Sequence, residues 1–257
     1  MPNSRLLGLI SALLACAAGA GAQAPDSLPF SDGERLTFRI SAGKLGTVGH
    51  AVMTLTGPVD VRGTETMLAS FDANAGIPLF KGSDATRSWI DPTRMTSLRF
   101  QKRERRPFSS ADDSVEIYPG LHHWDGLKGD SGTTVSDLPL DELSFIYFLR
   151  TRTLEPDSVY SFDQDYDRRR PPTTVRVVKH EALTTPAGTF KTVEYEVRMT
   201  DRRNYKKSAV LHFWFSEDRC RVLVRVESPM PMLGNSTMTL QAAVTPNCPY
   251  LASRGSP

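Results

Sequence analysis

Hydrophobic and polar positions alternate along most of this chain, a pattern typical of half-buried β-strands. Over residues 34–40 the apolar side chains Leu36, Phe38 and Ile40 share one face, and charged or hydroxyl residues occupy the other. About eleven or twelve such segments follow one another through mostly short turns, so sequential antiparallel pairing is expected.

Residues 141–153 depart from this pattern. Apolar residues recur there at three- and four-residue steps from Leu143 to Leu149, and Phe145 and Phe148 widen the stripe. This spacing predicts an α-helix, and the aspartate that opens the segment can cap its first turn. A helix of about a dozen residues is marginal alone in water. We therefore expect its aromatic face to pack on the neighbouring strands.

These elements predict a mostly all-β fold. An antiparallel sheet this large curls or closes instead of staying flat. We expect a single large curved sheet or a half-open β-barrel, covered on its concave side by the helix near residues 141–153. No repeat or change of composition marks a second domain, so residues 23–250 are predicted to form one β-rich domain, followed by a tail at 251–257. The predicted loops are residues 74–84, residues 103–113 (alternatively a frayed strand end) and residues 119–134.

Residues 1–22 have the pattern of a secretory signal peptide. Arg5 precedes the apolar run 6–18, and small residues ending at Ala22 form a cleavage site. Removal of this segment would place the protein in the periplasm or outside the cell. The alternative is a lipoprotein signal in which Cys16 is lipidated. The sequence predicts no membrane span in the mature chain, because no other segment is long and apolar enough.

Signal removal leaves two cysteines, Cys220 and Cys248. An exported chain meets an oxidising compartment, so we predict a disulfide between them. It would close a loop of about 30 residues and contribute on the order of 3–4 kcal/mol. The alternative is two buried free thiols. Their separation, without matching histidines, makes a poor zinc site.

The formal charge of the chain is nearly balanced at +2, so no nucleic-acid partner is expected. Basic residues nevertheless cluster in three runs, at 102–106, 168–170 and 202–207. Each run fits a solvated loop, and the alternative is a surface that meets anionic lipid or another acidic envelope polymer.

Few residues suggest chemistry. His122 and His123 are the candidate metal ligands, but adjacent residues on an extended segment point apart, so no metal is expected. Ser41 and Lys44 have the Ser-x-x-Lys spacing of penicillin-recognising enzymes, yet the partner motifs are missing. We expect no catalytic residues and no cofactor, and we favour a non-enzymatic protein.

Four segments occur in a familiar order. They are Pro29-Phe30 with Gly33–Ile40 and Gly46-x-x-Gly49, the helical segment Leu143–Arg150, the turn Thr185-Pro186-Ala187-Gly188-Thr189-Phe190-Lys191, and Phe213-Trp214-Phe215-Ser216-Glu217-Asp218 followed by Val222–Val226. Together they resemble a large family of exported bacterial proteins known only as a domain of unknown function, over residues 29–244. The resemblance implies an envelope protein with a curved or barrel-like sheet. It implies no activity and no catalytic residues.

A curled sheet with a helix over its concave side makes a hollow. We therefore expect a periplasmic protein that binds or carries an apolar or amphipathic envelope molecule, with lipid or an envelope protein as its partner. One alternative is an assembly scaffold without ligand, and a second is a hydrolase with an unrecognised site. The residues expected to line the hollow, although most also fit a plain core, are Phe145, Phe148, Trp89, Trp214, Ile77 and Phe80.

Overall fold

The computed structural model describes residues 28–77, 80–170, 172–201, 204–230 and 234–248. The predicted signal peptide 1–22, Cys16 and the tail 251–257 lie outside these ranges. Within them the helix α1 spans Glu142–Arg150. The strands are β1 (Glu34–Ala42), β2 (Thr47–Val61), β3 (Thr64–Ile77), β4 (Phe80–Asp91), β5 (Thr96–Arg106), β6 (Ser109–Tyr118), β7 (His123–Gly126), β8 (Ser131–Thr133), β9 (Val159–Phe162), β10 (Thr173–Thr185), β11 (Gly188–Asp201), β12 (Asn204–Ser216), β13 (Leu223–Met230) and β14 (Gly234–Val244).

All of these strands belong to one antiparallel sheet. Its order is β8-β7-β6-β5-β4-β3-β2-β1-β14-β13-β12-β11-β10-β9. Strands that follow one another in the chain are neighbours in the sheet, apart from β8 and β9, and the pairing of β1 with β14 joins the two halves. The edge strands β8 and β9 do not pair, so the sheet is not closed. The predicted fold class, a large antiparallel sheet with one helix near residues 141–153, is confirmed.

The strands are longer than the alternation of apolar residues predicts. The predicted loop over residues 74–84 is wrong, because β3 and β4 pair as far as Ile77 and Phe80. The segment 103–113 belongs to the β5–β6 hairpin, and the glycine-rich segment 119–134 contains β7 and β8. These stretches run beyond the main core, where solvated faces lose the alternation that identifies a strand.

The main core lies between the concave face of the sheet and the helix. Side chains from β1 to β4, from β10 to β14 and from the helix form one apolar cluster. Tyr147 and Leu149 of the helix are fully buried in it, with Phe38 of β1 and Phe215 of β12. A second cluster covers the same face of β5, β6 and β7. Its members are Phe100, Val115, Ile117, Trp124 and Tyr166.

The helix begins at Asp141, which caps it as the sequence predicts. Oδ1 of Asp141 accepts the backbone N–H groups of Leu143 and Ser144 at 2.8 and 2.9 Å. Its Oδ2 accepts the hydroxyl groups of Ser88 on β4, at 2.6 Å, and of Ser97 on β5. Burial raises the pKa of this carboxyl, and the four hydrogen bonds oppose the rise. The cap therefore fastens the start of the helix to two strands.

The helix ends at Arg150, whose guanidinium is buried against β1. Its Nη1 and Nη2 donate to Oε1 and Oε2 of Glu34 at 2.6 and 2.7 Å, and both side chains are 1% exposed. Nη2 also donates to the carbonyl oxygens of Pro29 and Cys220. Burial disfavours the charge, but Glu34 outweighs it and raises the pKa of Arg150. The end of the helix is therefore fixed by a two-pronged ion pair.

The two cysteines expected to pair form a disulfide. The Cα atoms of Cys220 and Cys248 lie 6.2 Å apart. Next to it, the Asn247 side chain donates to the carbonyl oxygen of Leu28 at 3.1 Å. Because the carbonyl of Cys220 also accepts from Arg150, the bridge holds the C-terminal segment beside the buried ion pair.

Residues 163–170, the strap, span the gap between the two edge strands. The backbone N–H of Tyr166 donates to the carbonyl of Leu140 at 3.0 Å, and that of Arg168 donates to the carbonyl of Thr133 in β8 at 3.1 Å. The strap follows β9, so irregular backbone connects the two edges that the sheet leaves apart.

We expect the Glu34–Arg150 pair to be essential for stability. Glu34→Gln leaves a buried guanidinium without its counter-charge and should lower the free energy of unfolding by about 3–5 kcal/mol. Urea unfolding followed by tryptophan fluorescence measures the loss. The double variant Glu34→Leu/Arg150→Leu, which removes both charges, should regain part of it. The control Glu65→Gln, at an exposed position of β3, should stay within about 0.5 kcal/mol of wild type. Equal stability of Glu34→Gln and this control would contradict the prediction.

The strap should depend on Arg170, whose side chain is 7% exposed and bonds Asp165 at 2.7 Å. Arg170→Met should cost about 2 kcal/mol, the scale of a charged hydrogen bond that is not fully buried. Hydrogen exchange at the Tyr166 amide should speed up. Arg168→Met is the matched control, because that side chain is exposed and its backbone bond to β8 is unaffected. If both variants exchange alike, Arg170 does not hold the strap.

Candidate functional site

A cleft of about 760 Å³ opens on the concave face of the sheet, beside the first residue of the helix. Lys102 and Glu104 of β5 and Asp113 of β6 form one wall, and Met199 of β11 and Ala209 of β12 belong to the opposite half of the sheet. The strap supplies part of the lining. A space of this volume is in the range that holds small-molecule ligands.

One ammonium group in the cleft faces three carboxylates. Lys102 bonds Glu142 at the start of the helix, and its Nζ lies 3.6 Å from Asp84 and 3.5 Å from Glu104. All four side chains are at most 26% exposed, so solvent screens their charges only partly. Because Lys102 faces both Glu104 and Glu142 in the lining, this part of the cleft carries more negative than positive charge.

The strap side of the cleft combines ion pairs with aromatic rings. Arg169 bonds Asp167 through Nε and Nη2, at 2.8 and 2.7 Å, and its guanidinium lies over the Trp124 ring at 5.5 Å. Burial opposes ionisation of Asp167, but hydrogen bonds from Arg169 outweigh it and lower the pKa of the carboxyl. Arg170 lies over the ring of Tyr166 at 4.9 Å. Ion pairs and cation–π contacts therefore hold the strap side of the cleft in place.

Two buried nitrogen donors in the lining residues lack an acceptor among the described residues: Nε1 of Trp124 and Nε of Arg170. Buried donors normally find a partner. Trp124 lies opposite Gly132 of β8, where an added Cβ would approach the indole nitrogen to 2.6 Å. The indole therefore requires glycine at this position.

The helix residues predicted to line a hollow fill it instead. Phe145 and Phe148 are 6% and 2% exposed, stack on one another and meet the ring of Phe162 edge-on. Phe145 also borders a space of about 30 Å³ that shares Met199 with the cleft. Only this end of the aromatic face approaches the open cavity.

The two predicted tryptophans lie on the outer face of the sheet. Trp89 alternates with Ser88, whose hydroxyl contacts the helix cap, so the ring points the other way and lies under Arg99. Trp214 lies between Phe213 and Phe215 on β12, so its ring points to the other face, but it is 5% exposed and belongs to the main apolar cluster. Its indole N–H donates to Glu181 at 2.8 Å. Neither ring lines the cleft. The side chains of Ile77 and Phe80 lie outside the described part of the structure.

His122 and His123 bind different carboxylates. Nε2 of His122 contacts Asp137, and Nε2 of His123 contacts Asp125, each at 2.8 Å. The segment is not the fully exposed loop that the sequence predicts, because Trp124 is buried in the second cluster. Within the described ranges, the side chains whose possible metal-ligand atoms lie close together are those of Asp218, Cys220 and Cys248. Both sulfurs of that group are already bonded in the disulfide.

The charged cleft itself is not predicted from the sequence. Apart from Lys102 and Glu142, the charged side chains of the cleft come from the segments 103–113 and 119–134, which the sequence predicts as loops, and from the strap. The sequence did contain one indication of the cleft. Lys102 and Glu104 lie two and four residues after Phe100, so on a strand their side chains point to the same inner face.

Within the described ranges, no helix has the length and apolar character that a membrane crossing requires.

A solved structure of another protein shows the same fold. A beta-barrel-like protein of domain of unknown function DUF1849 from Brucella abortus aligns with a TM-score of 0.53 and 11% identity, over 82% of this chain and 97% of that chain. An exported protein with a YmcC-like fold from Bacteroides fragilis and a lipoprotein from Parabacteroides distasonis align with TM-scores of 0.32. Their identities are 12% and 13%, over 85% and 84% of this chain and 98% and 97% of theirs. The first alignment shows the fold alone, and the other two are too weak to support an inference.

No curated protein matches the sequence. The family model DUF3108, described as a protein of unknown function, matches residues 37–241. That range runs from β1 into β14 and includes the helix, the strap and the cleft. The expected membership in a domain-of-unknown-function family is confirmed, and the chain belongs to the DUF3108 family.

Proposed function

We propose that this protein binds an amphipathic molecule of the cell envelope in the cleft, as a non-enzymatic binding or carrier protein. The observation that carries the proposal is the cleft, an open space of about 760 Å³ on the concave face of the sheet. Charged side chains and a few apolar ones line it together, which suits a ligand with both characters.

An amphipathic ligand fits better than an apolar one, because the helix already fills the apolar part of the concave face. Glu142, Arg170 and Met199 border both the charged cleft and the small space beside Phe145. A bound molecule would place its polar group among the ion pairs and its apolar part against Phe145 and Met199.

The helix is a fixed part of this site and not a lid. Asp141 bonds two strands at one end, and Arg150 bonds Glu34 at the other. Lifting either end would leave a buried charge without its partner, at a cost of several kcal/mol. Ligand entry therefore depends on the open mouth and on the strap.

An envelope location is supported by the leader-like residues 1–22 and by the Cys220–Cys248 disulfide, which suits an oxidising compartment. In that setting the available amphiphiles are lipids and their derivatives.

Filling the cleft should abolish binding. Ala111 of β6 lines the cleft, whereas its neighbour Ser110 is exposed on the opposite face. Ala111→Trp should weaken binding of monomeric dodecylphosphocholine by at least about tenfold, and Ser110→Trp should leave it unchanged. Isothermal titration calorimetry below the critical micelle concentration measures both.

The alternatives give different results. Native mass spectrometry of protein purified gently from its host should show an additional mass that organic extraction removes. A clean apo mass together with no probe binding would favour the scaffold without ligand. Turnover of an extracted molecule by the purified protein would favour the hydrolase.

A further inference from the structure

Exposed charge at the mouth of the cleft is predominantly positive. The exposed cations are three lining residues and two arginines further along the β5–β6 hairpin: Arg103, Lys128, Arg169, Arg105 and Arg106. The exposed acids of the lining are Asp112 and Asp130. We call these five cations, together with Phe108 and Leu127, the rim.

The acids of the lining are concentrated inside the cleft. Glu104, Glu142 and Asp167 are all less exposed than the rim cations, with side chains 14%, 26% and 3% exposed. On β5 the exposed Arg103 and Arg105 alternate with Glu104, which points inward, and Arg106 at the end of the strand is exposed although it shares the face of Glu104. Because the rim cations are more exposed than these acids, a surface that approaches the mouth meets the cations first.

Two large apolar side chains accompany these cations. Phe108, in the turn between β5 and β6, is 89% exposed, and Leu127, in the turn between β7 and β8, is 83% exposed. Single exposed apolar residues are ordinary on protein surfaces. Apolar side chains at hairpin turns beside a cluster of arginine and lysine have the composition of surfaces that enter the headgroup layer of a bilayer.

The β5–β6 hairpin also has a suitable shape. Residues 105–110 are all exposed, so its end projects from the body of the protein. Arg105 pairs with Asp112 at 2.6 Å, but both side chains are about half exposed. Such exposed pairs contribute little to stability, so this arginine can bind another anion.

We propose that the rim docks on an anionic bilayer surface. The cations contact lipid phosphates, and Phe108 and Leu127 enter the headgroup layer. Docking would bring the mouth of the cleft to the membrane, where an amphipathic ligand could pass without crossing water. The docking does not depend on what the cleft binds.

Vesicle sedimentation tests the proposal with the purified wild-type protein. Vesicles of phosphatidylcholine with about 30 mol% phosphatidylglycerol should bind it, and pure phosphatidylcholine vesicles should not. Raising the salt from about 0.05 M to about 0.5 M should release the protein, because salt screens exposed charges. Failure to sediment with the anionic vesicles at low salt would overturn the proposal.

Matched variants locate the contact. Arg103→Ser/Arg106→Ser should weaken the partition coefficient about fivefold for each charge removed. Arg35→Ser/Arg39→Ser removes the same charge from exposed positions of β1, away from the rim, and should have little effect. Phe108→Ser should also weaken binding, whereas Val159→Ser, at another exposed apolar position, should not. Equal losses in the rim and control variants would overturn the assignment to the rim.

Folding and ligand binding are measured separately. Each variant should keep the wild-type melting temperature, since every substituted side chain is exposed. Docking and cleft binding fail independently. Protein that binds dodecylphosphocholine but no vesicle refutes the docking alone, whereas rim-dependent vesicle binding without probe binding refutes only the cleft proposal.

Discussion

The ion pair between Glu34 and Arg150 is the constraint on which the rest of the structure depends. It joins the first strand to the end of the helix across 116 residues of sequence, and neither side chain is accessible to water. The same guanidinium bonds the carbonyl groups of Pro29 and Cys220. Arginine suits this position because its planar fork donates to a carboxylate and to nearby carbonyls at once. One buried cation thereby holds the N-terminal segment, the helix and the disulfide-bonded turn together.

A helix fixed in this way determines where binding can occur. With Asp141 bonded to two strands at the other end, the helix occupies the apolar hollow of the curved sheet as permanent core. Among the described residues, an open cleft lies beside the first turn of the helix, where strand ends and the strap carry charge. The apolar concavity therefore serves stability, and the charged cleft is the space in which we propose that a ligand binds.

The sequence predicts the scaffold better than the site. Two-residue alternation identifies the main strands because their inner faces lie on one large core, and the helical spacing identifies the helix with its cap. Glu34 shares the parity of Leu36 and Phe38, so its inward position was readable. Its partner was not, because a contact 116 residues away follows only from the folded sheet. The tryptophans were misplaced for a different reason, since aromatic character alone does not tell which face of a strand is concave.

The division between scaffold and site also limits what the family resemblance can mean. The segment Gly33–Leu36 holds Glu34, and the segment ending in Leu149-Arg150 holds its partner, so two of the four resembling segments are the two halves of the buried ion pair. None of the four contributes a side chain to the lining of the cleft, because Glu142, the lining residue of the helix, lies one residue before the resembling segment begins. The resembling segments therefore contain residues that fasten the helix to the sheet. The lining of the cleft is formed by other residues, chiefly at the ends of β5, β6, β11 and β12 and in the strap. Two proteins that share these four segments can accordingly differ in the lining of the cleft.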